Sequence, residues 1–271
     1  MPELPEVETT LRGIKPYLLN KKIVTVTVRD RRLRWPVGDE FEQSIERSVI
    51  NSIQRRAKYL VLENKHGFFI IHLGMSGSLR ITNAEETLLK HDHIIFGLAN
   101  RKQMRFNDPR RFGCALWLGK NPFNHELLKH LGPEPLSNEL EASYLFEKSR
   151  KRKVTVKNFI MDNKIIVGVG NIYANESLFM SGIRPTRQAG KVSKKEYTLL
   201  LKNIQTVLSN AITMGGSTLR DFVGGDGKPG YFQQTLNVYG REGEPCVNCE
   251  KTLTHKVIGQ RTSVYCTSCQ R

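Results

Sequence analysis

The chain has 271 residues, enough to bury a core without disulfide staples, and no apolar run approaches the ~20 residues that span a bilayer. Its opening, MPELPEVETT, is polar and acidic rather than a secretory leader, so a cytoplasmic, globular chain is expected. A net charge of +16 calls for a polyanionic partner, nucleic acid ahead of an anionic membrane surface, because that much self-repulsion needs an offset.

Residues 5–19 (PEVETTLRGIKPYLL) place Val7, Leu11, Ile14 and Leu18 at helical spacing, with a proline suited to the first turn. From about 22 to 118 the pattern changes to period two. IVTVTVRD, SVINSIQRR, KYLVLEN, GFFIIHL, GSLRIT, DHIIFGL and CALWL read as short strands with turns between them and no intervening helix. About seven such strands in succession make a sandwich or a barrel. Past 122 the chain turns helical, with expected helices at 124–131, 141–150, 156–161 and 171–180. A longer one at 193–214 has Tyr197, Leu200, Ile204, Val207, Leu208 and Ile212 on one face. Residues 215–235 are glycine-rich and read as a long mobile loop.

The last 26 residues hold four of the five cysteines, as Cys246-x2-Cys249 and Cys266-x2-Cys269 with sixteen residues between the pairs. That is metal spacing, two knuckles returned to one another by a hairpin, and four thiolates close a zinc site to catalysis. One structural Zn²⁺ is expected. The hairpin also carries His255, Lys256, Gln260 and Arg261, a cationic tip. Cys114, inside CALWL, reads as a small buried hydrophobe.

Other segments are less specific taken alone. The run 148–157 (KSRKRKVTVK) has six cationic residues in ten and suits phosphate contacts. Asp108-Pro109-Arg110-Arg111-Phe112-Gly113 reads first as a β-turn with a core phenylalanine, and second as a wedge in which Phe112 parts two base pairs. Gly168-Val169-Gly170-Asn171 opens a helix and could cradle a phosphate on backbone N–H groups. Pro2 becomes a free secondary amine if Met1 is removed. An α-amine with a pKa near ~8 is a readier nucleophile than a lysine near ~10.4. By itself MPELPE reads first as a lead-in to the first helix, and only second as a nucleophile.

Together the motifs resemble the formamidopyrimidine-DNA glycosylase family. The resemblance rests on MPELPEVET at 1–9, RRAKYL at 55–60, HLGMSGSLR at 72–80, KHDH at 90–93, DPRRFG at 108–113, HLGPEPL at 130–136, MDNK at 161–164, GVGNIYANE at 168–176, DGKPGYF at 226–232 and the four cysteines. These motifs span nearly the whole chain. Leu4 matches the oxidised-purine branch, where the related endonuclease VIII branch has glycine. Departures are Lys157-Asn158-Phe159, where Lys-Pro is expected, and Ala174-Asn175-Glu176, where Asp or Ser is usual before the Glu.

What the resemblance implies is a multi-domain α+β protein. An N-terminal helix and β-sandwich form a catalytic domain over 1–131. A helix–two-turns–helix domain occupies 132–225, and a loop with a four-cysteine zinc finger occupies 226–271. The partner is damaged double-stranded DNA, held in a cleft between the halves. The protein is expected to be a monomer in the bacterial nucleoid, with no membrane association. Pro2 would attack C1′ of the damaged nucleotide, Glu3 would protonate the sugar, Lys58 would donate a proton in β-elimination, and Arg261 would serve δ-elimination and phosphate binding. Met75, Arg110 and Phe112 would fill the void left by an extruded base. His91, Arg110, Lys157 and Asn171 would meet the DNA backbone, and the 217–232 segment would close over 8-oxoguanine. The competing expectations are an oxidised-pyrimidine glycosylase of the same architecture and a zinc-ribbon DNA-binding protein without catalysis.

Overall fold

A computed structural model describes residues 2–216 and 236–271. The glycine-rich segment expected to be a loop lies, after its first two residues, outside the described residues. The chain divides into two compact units. Among the described residues, one holds 2–129 with 214–216, and the other holds 130–213 with 236–271.

The first unit opens with helix α1, Leu4–Leu18, whose Val7, Leu11, Ile14 and Leu18 are buried as their spacing predicts. Eight antiparallel strands follow: β1 Lys22–Val28, β2 Ser48–Arg56, β3 Tyr59–Asn64, β4 Gly67–His72, β5 Ser78–Asn83, β6 Asp92–Leu98, β7 Lys102–Asn107 and β8 Cys114–Gly119. Their order is β5-β7-β6-β1-β2-β3-β4-β8. β1 and β2 pair only at Lys22↔Val49 and Ile23↔Ser48. At that narrow seam the sheet divides into two four-stranded layers that pack as a sandwich. Phe69 of β4 stacks on Phe96 of β6 with centroids 6.2 Å apart, so rings from the two layers meet in the core.

Two elements are additional to the sequence reading. A short helix α2, Glu40–Ile45, interrupts the strands and inserts Phe41 against both Phe69 and Phe96. β7 is an additional strand. Its sequence KQMRFN hides the alternation because Arg105 is only 1% exposed; its guanidinium donates to the carbonyls of Thr87 at 3.1 Å and Glu86 at 2.8 Å.

The second unit holds α3 Ala142–Ser149, α4 Val156–Met161, α5 Asn171–Met180, α6 Lys194–Thr213 and the hairpin of β9 Thr254–Ile258 with β10 Arg261–Tyr265. The helix expected at 124–131 does not form. A single 3₁₀ turn at Pro122–Asn124 is followed by turns, since of those residues only Leu128 is buried. α5 is buried along most of its length, including polar Asn175, Glu176 and Ser177. Among the described residues no helix is long and apolar enough to cross a membrane.

Candidate active site

The N-terminal chemistry is held by α1. Pro2 is buried, and Glu3, 3% exposed, is the helix N-cap. The Glu3 backbone N–H donates to Glu6 Oε2 at 2.8 Å, half of a capping box that fixes the chain end against the first turn. One turn further on, Glu8 Oε2 accepts from Arg55 Nε at 2.9 Å, and Arg55 Nη1 donates to the Ala57 carbonyl at 3.0 Å. α1 is thereby tied to the two-residue turn between β2 and β3, where Ala57 is left-handed (φ 53) and Lys58 follows, 9% exposed. Gly216 brings the chain after α6 back to this helix; a Cβ there would stand 3.3 Å from Glu6 Oε1.

His72 belongs to this cluster, and its motif did not single it out. It faces Tyr59 across β3–β4, with ring centroids 4.8 Å apart. Its Nδ1 accepts from the Gly74 N–H at 3.0 Å, which leaves the ring proton on Nε2. Burial, with the charges of Lys58 and Arg34, pushes its pKa down to about 4, so the ring is neutral at pH 7.

Met75, Arg110 and Phe112 lie on two apposed loops, between β4 and β5 and between β7 and β8. Phe112 is 44% exposed, so the first expectation for it, a core phenylalanine, is overturned. Arg110 lies 4.9 Å over its ring, and Met75 is 36% exposed. The loops touch through backbone. Gly74 has φ +65, and a Cβ on it would fall 2.3 Å from the Gly113 nitrogen. Asp108, fully buried, joins them: Oδ1 accepts from Ser76 Oγ at 2.8 Å and Oδ2 from Gly113 N–H at 2.8 Å. Ser76 Oγ in turn accepts from the Arg110 N–H at 3.2 Å. His91 is drawn in as well, because its carbonyl accepts from the Asp108 N–H at 3.1 Å.

In the second unit, Asn171, Arg261 and Thr262 line an open pocket with Tyr239 and Glu242. Gly170 is the N-cap of α5, so the glycine motif does open a helix, and Asn171 is its first residue. Lys157, expected to meet the DNA backbone, faces inward. It is 0% exposed, and its Nζ donates to Asn171 Oδ1 at 2.6 Å, Ser263 Oγ at 2.5 Å and the Thr262 carbonyl at 3.2 Å. Glu176 is equally buried. Its Oε2 accepts from Asn237 N and Nδ2, and its Oε1 from the backbone of Val238 and Tyr239, at 2.8–2.9 Å. Asn175, a departure from the family pattern, accepts from the Val264 N–H at 3.0 Å and so anchors β10 to α5.

The four cysteine sulfurs converge within 4.8 Å of one another, with Cys246–Cys269 at 3.9 Å and Cys249–Cys266 at 3.5 Å. Zn–S bonds of ~2.3 Å in a tetrahedron put sulfurs roughly 3.8 Å apart, so the donor set fits a metal ion. Cys114 is fully buried, as expected, and burial pushes its thiol up to about 12.

Comparison with known proteins agrees with this geometry. The model of the formamidopyrimidine-DNA glycosylase N-terminal domain matches residues 1–115, and that of its H2TH domain matches 131–223. The chain belongs to the formamidopyrimidine-DNA glycosylase family. Formamidopyrimidine-DNA glycosylases of Saccharophagus degradans and Hahella chejuensis are each 55% identical to it over 271 residues, covering all of both chains. Among solved structures, the MutM (Fpg) protein of Thermus thermophilus is 35% identical with a TM-score of 0.88, over 99% of this chain and 98% of that one. The Lactococcus lactis Fpg in complex with an abasic-site DNA is 29% identical with a TM-score of 0.92, over the whole of both. A mutant of that Lactococcus protein, with the same identity, TM-score and coverage, is in complex with Fapy-dG-containing DNA.

Proposed function

We propose that this base-excision-repair glycosylase of oxidised purines also cuts the strand it has treated, through an imine formed on Pro2. The observation that carries the reading is the buried Pro2–Glu3 pair at the capped start of α1, with the Lys58 turn tied to the same helix. With Met1 removed, the Pro2 nitrogen attacks C1′, the N-glycosidic bond breaks and the oxidised base leaves with the bonding pair. Glu3 protonates the ring oxygen as the sugar opens. The cationic imine at C1′ then withdraws electrons and the 2′-proton becomes acidic. Its loss forms the C2′=C3′ bond and expels the 3′ phosphate, with Lys58 supplying the proton. A second elimination, served by Arg261, expels the 5′ phosphate, and water releases the sugar fragment from Pro2.

The remaining residues bind and orient. Met75, Arg110 and Phe112 enter the stack where the damaged nucleotide leaves it, which offsets part of the unstacking cost. His91, Asn171 and Arg261 meet phosphates, as does Arg110. Cys246, Cys249, Cys266 and Cys269 hold one Zn²⁺, which supplies folding energy to the hairpin that carries Arg261 and takes no part in the reaction. The protein acts as a cytoplasmic monomer on duplex DNA.

Borohydride tests the imine. The protein, shown by mass to lack Met1, is mixed with a duplex carrying one 8-oxoguanine opposite cytosine and reduced. A covalent protein–DNA band mapping to the N-terminal peptide is expected. A Met1-free protein that binds the duplex and yields no band would return the chain to DNA binding without imine chemistry.

A further inference from the structure

Ser76 and Asp108 are both buried, at 8% and 0% exposure, beneath the exposed side chains of Met75, Arg110 and Phe112. Asp108 satisfies two loops and a strand at once. Its carboxylate takes Ser76 and Gly113, its N–H goes to the His91 carbonyl, and its carbonyl accepts from His93 Nε2 at 2.9 Å. Ser76 works in both directions, donating to Asp108 and accepting from the Arg110 backbone. An alanine at 76 can do neither. Gly74 lets the two backbones close to a distance that no Cβ permits.

We propose that Ser76 and Asp108 are positioning residues that hold Met75, Arg110 and Phe112 as one preassembled wedge. The proposal rests on the reading of this site as an oxidised-purine glycosylase. Three side chains on two independent loops would each have to be ordered as the duplex opens. On stitched loops that ordering is complete beforehand, so less of the insertion energy is lost to it. The stitch acts only where a base stack must be entered. An unpaired strand with a preformed abasic site has no void to fill, and the reaction at Pro2 proceeds there without the wedge.

Single-turnover kinetics on the full-length, zinc-loaded protein separate the two cases. Ser76→Ala is expected to slow excision of 8-oxoguanine opposite cytosine about ten-fold, the effect of losing one hydrogen bond to a charged group. Cutting of a single-stranded abasic oligonucleotide stays within about two-fold of wild type. In a Met75→Ala background Ser76→Ala costs less than it does alone, because part of what it positions is already gone and residues acting through one another are non-additive. A 2-aminopurine beside the lesion reports a smaller unstacking signal. Asp108→Asn keeps one acceptor for Gly113 and reverses the Ser76 bond; it gives a smaller loss, again confined to the duplex, and serves if Ser76→Ala does not fold. Equal loss on both substrates, full additivity with Met75→Ala, or unchanged duplex excision overturns the proposal. A wild-type protein inactive on the 8-oxoguanine duplex instead sinks the reading of the site, and the proposal with it.

Discussion

Replacing Glu176 by Gln removes one charge and swaps one oxygen for an NH₂ group, with almost no change in volume. In the native protein each carboxylate oxygen accepts two N–H donors, Oε2 from Asn237 twice and Oε1 from Val238 and Tyr239. The amide oxygen of Gln can keep one of those pairs, and its NH₂ then faces the other pair donor to donor. Two hydrogen bonds to a charged acceptor are lost, at ~1.5–3 kcal/mol each. Removing a carboxylate that is 1% exposed returns part of that as relieved desolvation. A net local loss of ~2–3 kcal/mol is expected, which opens the 237–239 segment roughly 30- to 150-fold more often. Hydrogen exchange at the Val238 and Tyr239 amides reads this directly. Because Tyr239 lines the pocket with Asn171 and Arg261, affinity for an abasic duplex should fall with it. Amides that exchange at the wild-type rate in the Gln variant would refute the account of Glu176 as the anchor of this segment.

Chelating the metal should melt the β9–β10 hairpin and weaken DNA binding, while borohydride trapping at saturating protein persists. Full affinity in a metal-free sample would contradict the structural role of the four cysteines. His72 makes the first unit acid-sensitive. Its folded pKa of about 4 lies below the unfolded 6.5, so its contribution is fully present above pH 6.5 and is lost as the pH falls toward 4. The shift corresponds to at most about 3 kcal/mol, and ~1–2 kcal/mol is expected because solvent still reaches part of the ring. The difference in unfolding free energy between wild type and His72→Gln, followed from pH 7 to 4.5, measures it; parallel curves would exclude it. Lys151, Arg152 and Lys153 are exposed in the chain just before α4. Alanine at all three should lower the slope of log affinity against log salt by up to ~0.9 for each phosphate left without its cation, with catalysis at saturation unchanged. An unchanged slope would place these three side chains away from the DNA.

Much of the fold was legible because its signals are local. The α1 face, the strand pairs and the cysteine knuckles each follow from a short run of residues, and burial agrees with their periods. Where the reading failed, long-range contacts decide. β7 is a strand whose most buried residues include an arginine, satisfied by carbonyls some twenty residues earlier in the chain. α2 is a single short helix held by Phe41 between two rings that the sequence does not bring together. Phe112 shows the opposite failure. In a turn motif an aromatic reads as core, and only the packing of Gly74 on Gly113 shows that the loop turns it outward.

Cations are the hardest residues to assign from sequence, and the 148–157 run shows why. All six count equally toward the charge, and family resemblance assigns Lys157 to the DNA backbone. The structure separates them by what surrounds each one. Lys151, Arg152 and Lys153 remain in water, where a phosphate can exchange for a counterion. Lys157 points inward and holds Asn171, Ser263 and the Thr262 carbonyl together, beside Arg261 on the same hairpin. A phosphate reaching its ammonium would have to displace at least one of these neighbours. As the protein stands, Lys157 fixes Asn171 and the position of the hairpin. A motif position thus fixes the need for a cation there, and burial decides whether that cation binds the ligand or builds the surface that does.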